Sequence, residues 1–291
     1  MRAISWTAPL TALNSIIETT IEYTASAPLP PSSESLPPDS ALIKVAYASI
    51  NPVHYKLPEL ILYRNFNYSL TKRSSTPLIP AGEYSGTVIE SKFLVLPPAT
   101  KSSDAVIRQG VQMRDACTIG VAGLTALQCL ETMSGKRVLI NGASGGTGTF
   151  GVQIAKALGW EDVVGTCSTR NVEFVKGLGA DGVVDYRTED VVTELKRRGR
   201  EYGEFDLLID NVDSPWLGGI TAAASFSRRR SDGDGFARIA DWIAEGNVKP
   251  VIAREYKLEE AREAFLELKS GRVRGKLVIK VSGEENNIEG D

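Results

Sequence analysis

The chain has 291 residues, 42% of them hydrophobic, and a formal net charge of −3. That length supports one large core or two modest ones, and the mild acidity excludes a nucleic-acid surface built on basic charge, Arg228–Arg230 being too short a patch to alter this. No apolar run approaches the roughly 18 residues of a membrane span, the start MRAISWTAPL lacks a signal-peptide block, and Cys117, Cys129 and Cys167 share no CxxC spacing. A reduced, cytoplasmic protein without disulfides or a cysteine-based zinc site is expected.

The first third reads as β-rich and irregular. A Pro/Ser-rich turn region at Ser26–Ser40 precedes a strand at Ala41–Ile50. Ile79–Glu90 contains another strand, opened by Pro80-Ala-Gly82, and Pro97-Pro98 marks a break. Near Asp115 the character changes. Ala116–Thr132 carries apolar residues at helical spacing, with Gly120 and Gly123 permitting a bend or close packing. Strands and helices then alternate: 138–140 and 146–158, 162–167 and 171–178, 183–185 and 188–197, with Phe205–Asn211 as a fourth strand. Such alternation predicts a parallel sheet with helices on both faces. Ala237–Glu245 and Leu258–Lys269 read as amphipathic helices, Gly275–Val281 as a strand, and the polar residues 282–291 as a frayed end.

The stretch 138–159 carries the most chemistry. Val138, Leu139 and Ile140 form a buried strand, Gly142–Gly148 a glycine-rich turn, and Val152, Ile154, Ala155 and Leu158 the packed face of a helix. The turn is the dinucleotide fingerprint with alanine in the first glycine position, Ala143-x-Gly145-x-x-Gly148. Small residues let the backbone approach a pyrophosphate, and the helix N-terminus favours that anion. About twenty residues on, a site for a ribose 2′-hydroxyl would place a carboxylate. Here stand Ser168, Thr169, Arg170 and Asn171, which suit a 2′-phosphate, so NADPH is expected over NADH. The plain alternative is that Arg170 is a solvated loop residue.

On several segments the chain resembles the medium-chain dehydrogenases/reductases, in particular their zinc-independent quinone-oxidoreductase and enoyl-reductase branch and its fungal trans-acting enoyl reductases. The segments are Ile50–Lys56, Pro80–Gly86, Gly120–Ala126, the glycine turn, Gly177–Asp181, Val184–Arg187 and Ser270–Lys276, in the family's order. The resemblance implies an α/β fold: a GroES-like, β-rich catalytic domain over 1–125 and 249–291, plus a Rossmann doubly wound parallel sheet over 126–248. It also implies cofactor roles. Asn51, Val53, His54, Tyr55 and Lys56 would border the nicotinamide, and Ser144, Gly145, Gly146, Thr147 and Gly148 would hold the pyrophosphate. Ser168, Thr169, Arg170, Asn171 and Tyr186 would gather around the 2′-phosphate of NADP(H), although Tyr186 also reads as a core aromatic. Thr118, Gly120, Val121, Ala122, Gly123, Leu124 and Thr125 resemble a stretch lining the substrate and nicotinamide cleft, where the glycines serve helix packing equally well.

The resemblance implies no metal, because Asn51 and Gly82 stand where zinc-dependent relatives carry ligands and the cysteine-rich lobe is missing. No catalytic acid is assigned: Tyr55 and Lys56 are conceivable proton donors, with a solvated loop lysine as the bland reading. The branch delivers hydride to the β-carbon of an enone or enoyl thioester, or to a quinone, so the implied substrate is a small molecule such as a polyketide-type intermediate of secondary metabolism. The expected state is a monomer or homodimer. Two departures shorten both domains. Glu90-Ser-Lys92 runs straight into Phe93-Leu-Val-Leu-Pro97, several dozen residues short of the family pattern. Asp213–Gly235, with its low-complexity Ser225–Gly235, leaves room only for a loop or short helix where relatives place a fifth strand. An NADPH-binding, non-catalytic relative acting as sensor or partner subunit therefore stands as the alternative function.

Overall fold

The computed structural model describes residues 3–6, 21–27, 41–56, 83–91, 110–212, 214, 223–224 and 232–282. The expectations for Pro80-Ala-Gly82, Pro97-Pro98, Arg228–Arg230, most of Ser26–Ser40 and the tail beyond 282 lie outside these residues. Two compact units result: Met1–Pro97 with Gln112–Thr118 and Ile252–Asp291, and Pro98–Val111 with Ile119–Val251. Among the described residues no helix is long and apolar enough to cross a membrane.

The first unit carries the antiparallel pair β1 (Ala3–Trp6) and β2 (Ile21–Thr24), and a sheet ordered β10-β11-β3-β4. Its strands are β3 (Ala41–Ile50), β4 (Glu83–Ser91), β10 (Ile252–Lys257) and β11 (Lys276–Lys280). A short helix α1 at 52–56 leaves the end of β3, and α2 (Met113–Ala116) belongs to the same unit. Alternation along β11 divides the packing. Leu277 and Ile279 join Ile21, Ile50, Tyr55 and Phe265, the last from α8 (Ala261–Lys269), whereas Val278 joins Ala46, Tyr47 and Cys117. The pair β1–β2 and strand β10 were not anticipated, because each is short and lacks a clean alternating pattern.

The second unit is a parallel sheet ordered β7-β6-β5-β8-β9. Its members are β5 (Arg137–Asn141), β6 (Asp162–Cys167), β7 (Gly182–Asp185), β8 (Leu207–Asp210) and the two-residue β9 (Ala223–Ala224). Between them run α3 (Leu124–Leu130), α4 (Gly146–Ala157), α5 (Val172–Gly177), α6 (Val191–Tyr202) and α7 (Gly233–Ala244), α3 preceding β5 and α7 following β9. Every residue of β5 is buried, as a central strand requires. Leu139 packs with Val191 and Leu195 of α6, while Ile140 lies against Gly151 of α4 on the opposite face. Helices thus cover both faces, as the alternating pattern predicts. Strand β9 falls in the interval expected to hold only a loop or short helix: two residues suffice to pair with Leu208 and Ile209. Residues 119–123 form a π-helix ahead of α3, so the helical run changes its hydrogen bonding over the stretch where Gly120 and Gly123 permit a bend or close packing.

Helix α6 is capped by Asp190, whose Oδ1 accepts from the Thr193 amide at 2.8 Å. On its surface Glu194 accepts from Arg197 and Arg198 at 2.7–2.8 Å. The Arg197 hydrogen bond, aided by Arg198 and both positive charges and opposed by partial burial, lowers the Glu194 carboxyl from 4.5 to about 2. A carboxyl depressed in the folded state stabilises above its unfolded value and loses that contribution as pH falls through the folded one. Half-exposed Arg197 limits the gain, so Glu194→Gln should cost about 1 kcal/mol at neutral pH. The difference from the parent should vanish between pH 4.5 and about 2, read by urea unfolding across that range.

Candidate functional site

The strand order places a switch point between β5 and β8, where chains leave the carboxyl ends in opposite directions across the sheet. The glycine turn sits there. Gly142 adopts φ +72°, and its amide donates to Thr166 Oγ1 at 3.1 Å, while the Ala143 amide donates to Thr166 O at 3.0 Å. Thr166 in turn donates to Asn141 Oδ1, and Asn141 Nδ2 donates to Asp210 Oδ1 at 2.8 Å. The turn is therefore tied to the ends of β5, β6 and β8. A Cβ on Gly148 would lie 2.2 Å from Gly142 O and 2.7 Å from Ala143 Cα, and one on Gly165 would lie 2.7 Å from Ala143 Cβ. Glycine at 165 makes room for alanine at 143.

Helix α4 begins immediately after Gly145, whose carbonyl accepts from the Thr149 amide. By helix geometry the amides of Gly146, Thr147 and Gly148 have no intrahelical acceptor, and no side chain caps this end. Half-buried Ser144, Gly145, Gly146 and Thr147 thus form a small-residue cradle with amides available to an anion.

A second turn adjoins the first. Asn171 is buried, and its Nδ2 donates to Ser144 Oγ at 3.0 Å and Ser168 Oγ at 3.3 Å. It serves as a brace between the turns, with Thr169 and Arg170 exposed beside it. Tyr186 is 51% exposed, its amide donating to Cys167 O at 3.1 Å and its ring lying 5.8 Å from the Arg187 guanidinium carbon. It is a surface aromatic at the third strand end, not a core one. Asp185 lies in the same neighbourhood. Burial raises its carboxyl, but hydrogen bonds from Thr169, the Arg187 amide and Thr188 outweigh burial and hold it below the usual range. The Arg187 amide donates to its Oδ1 at 3.0 Å, and the Thr188 hydroxyl reaches its backbone carbonyl at 3.5 Å. The structure brings Ser144–Gly148, Ser168–Asn171 and Tyr186 together at the carboxyl ends of β5, β6 and β7.

Residues 118–125 divide by unit. Thr118 is buried and donates to Asp115 O at 2.7 Å. Gly120 and Val121 are half-buried, Ala122, Gly123, Leu124 and Thr125 buried. A Cβ on Gly123 would lie 3.3 Å from Ile239 Cδ1, so this glycine serves packing of the π-helix against α7. The Thr125 hydroxyl is buried without a hydrogen-bond partner among the described residues.

In the first unit Asn51 is buried, Val53 and His54 are half-buried, Tyr55 lies in the core and Lys56 is exposed. Asn51 Nδ2 donates to Glu83 Oε1 at 2.6 Å, and His54 Nδ1 accepts from the Asn51 amide at 3.1 Å. Lys276 reaches the same cluster, donating to Glu83 Oε1 at 2.6 Å, to Ile50 O at 3.2 Å and to Asn51 Oδ1. Glu83 and Lys276 were not singled out beforehand. A charged residue heading the apolar run Leu277-Val-Ile279 was the available signal.

A five-stranded parallel sheet with a glycine cradle at its switch point defines a Rossmann-type nucleotide-binding unit. Family models described as "Zinc-binding dehydrogenase" match residues 146–217 and 215–279. Over these residues the chain is similar to the zinc-binding dehydrogenases of the medium-chain dehydrogenase/reductase superfamily. The trans-enoyl reductase pgmF of Aspergillus terreus is 28% identical over 341 aligned positions, covering 91% of this chain and 93% of its own. That alignment is longer than this chain, so the relative carries segments without counterpart here. The quinone oxidoreductase of Coxiella burnetii superposes with a TM-score of 0.74 at 22% identity, covering 97% of this chain and 99% of its own. The quinone oxidoreductase of Thermus thermophilus, also solved with NADPH, gives 0.66 at 18% identity, covering 97% and 100%.

The zinc in the family description does not fit the described residues. Among the described residues no group of three or more His, Cys, Asp and Glu side chains is arranged to hold a metal ion. Glu83 is instead paired with a buried ammonium, which repels a divalent cation. Burial, with Glu83 adding to it, keeps the Cys117 thiol well above its ordinary value. Gly82 lies outside the described residues.

The cradle generates a paired test. Gly148→Ala forces a methyl onto backbone atoms and should cost at least about 2 kcal/mol in urea unfolding. Gly145→Ala meets only an ordinary 3.5 Å contact at extended backbone and should cost at most about 1 kcal/mol.

Proposed function

We propose that this chain is an NADPH-dependent, zinc-independent reductase of an activated carbon–carbon double bond or a quinone, acting on a small molecule. The observation that carries it is the braced pair of turns: an amide-lined cradle at Ser144–Gly148 held by Asn171 against Ser168, with Arg170 exposed at its rim. Similarity to a trans-enoyl reductase and to quinone oxidoreductases supports the substrate class, and a polyketide-type intermediate falls within it. Unit one takes the role of catalytic domain and unit two that of coenzyme domain.

When bound, the nicotinamide supplies the hydride. The residues of the chain bind and orient. Amides of Gly146, Thr147 and Gly148 take the pyrophosphate at the helix N-terminus. Ser168 and Arg170 receive the 2′-phosphate, Arg170 through charge-assisted hydrogen bonds that suit a phosphate better than a hydroxyl. Asp185 ends β7, not β6 where a ribose-binding carboxylate would stand, and its Oδ1 accepts from the Arg187 amide at 3.0 Å. Asn51–Lys56 serve the nicotinamide end, and Thr118 with Gly120–Thr125 the substrate, on the strength of the resemblance. A second reading, an NADPH-binding relative without turnover, is favoured by one observation, the segments of the aligned relative that lack a counterpart here.

Arg170→Ala tests the coenzyme assignment. Loss of a charge-assisted contact of about 1.5–3 kcal/mol should weaken NADPH ten- to hundredfold and leave NADH nearly unchanged. Equal affinity of the parent for both coenzymes, measured by fluorescence titration, would overturn it.

A further inference from the structure

The first unit buries an ammonium whose three protons meet three oxygens: Ile50 O, Asn51 Oδ1 and Glu83 Oε1. Both side chains of the Lys276–Glu83 pair are 2% exposed. A buried pair of this kind is weak evidence for stability, because desolvation opposes the attraction and apolar residues of similar volume often serve as well. What the pair does achieve is geometric. Lys276 opens β11, Ile50 closes β3 and Glu83 opens β4, and these strands are neighbours in the order β11-β3-β4. The ammonium therefore joins three strand ends at the point where α1 departs. It also fixes Asn51, whose Oδ1 faces Lys276 and whose Nδ2 faces Glu83. From Asn51 the restraint passes to His54: the Asn51 amide donates to Nδ1, and the His54 amide donates to Asn51 O at 3.0 Å.

We propose that Lys276 is a positioning residue, a fixed internal cation that sets the Asn51–Lys56 segment for the nicotinamide end of the coenzyme. The proposal rests on the functional reading above for the role of that segment, but the restraint itself is observable without coenzyme. Lys276 has no proton free to give in this arrangement, so its role is distinct from that of a proton donor.

His54 is the only histidine in the chain and gives a single imidazole signal. Because its Nδ1 accepts from an amide, the neutral ring must carry its proton on Nε2. Long-range proton–nitrogen spectra of the parent should show that tautomer alone. Lys276→Met leaves Glu83 buried and unpaired, so the double variant Lys276→Met/Glu83→Gln, which removes both charges together, is measured beside it. In either variant that folds, the His54 signal should become a tautomer mixture, and Lys276→Arg should restore most of the single tautomer. With coenzyme and an enone acceptor, turnover should fall about a hundredfold while the NADPH KM shifts less than about threefold, the split expected of misplacement without lost binding. A parental His54 signal and parental turnover in the double variant would overturn the proposal. A parental His54 signal that ignores added NADPH would instead sink the functional reading, with the restraint still scored by the tautomer.

Discussion

The second unit turns on one close approach, that of Gly148 to the carbonyl of Gly142 and the backbone of Ala143. No Cβ fits there, so α4 can start directly over the end of β5. Its unpaired amides then face the carboxyl ends of the sheet instead of solvent along its flank. The approach makes demands of its neighbours. Ala143 needs glycine at 165, and the turn hangs on Thr166, which needs Asn141, which is held by Asp210. Residues from three parallel strands are therefore recruited to one backbone contact, and the cradle inherits the rigidity of the sheet.

The first unit solves a different problem. Its sheet contains antiparallel neighbours whose ends must release a short helix in a fixed direction. It does so with a buried cation drawn from the far end of the sequence. Lys276 is separated from Asn51 by most of the chain, yet their side chains meet because β11 pairs with β3 in register Leu277 to Ile50. Beside Asn51, where the resemblance looks for a metal ligand, an ammonium and a carboxylate are bound to each other. A divalent ion beside Asn51 would face a positive charge that is covalently attached.

Much of this was legible in the sequence, and the reasons are local. Strands β6 and β3 carry the bounds expected from the sequence, and α4 follows the glycine turn because glycine spacing, strand and helix signals coincide at one place. The family segments run in order along nearly the whole chain, so the fold class followed. What escaped depended on pairing. Strand β9 is two alanines and carries no periodicity; only its neighbour β8 makes it a strand. The π-turn at Ile119–Gly123 keeps helical spacing while changing the hydrogen bonds. Asn171 read as a coenzyme contact, whereas its amide also braces Ser144 to Ser168, a role set by tertiary contact. Glu83 and Lys276 are charged residues at strand starts, and nothing in either segment announces the other.

The central claim is that the braced cradle serves hydride transfer, and deuteride transfer tests it directly. The intact chain is incubated with NADPH deuterated at the transferring position of the nicotinamide and with an enoyl thioester, an enone and a quinone in turn. The account predicts saturable coenzyme consumption, with deuterium recovered at the β-carbon of a reduced enoyl or enone product, or a hydroquinone formed from the quinone. Tight NADPH binding with no consumption by any of the three acceptors would contradict it and leave a coenzyme-binding protein without turnover.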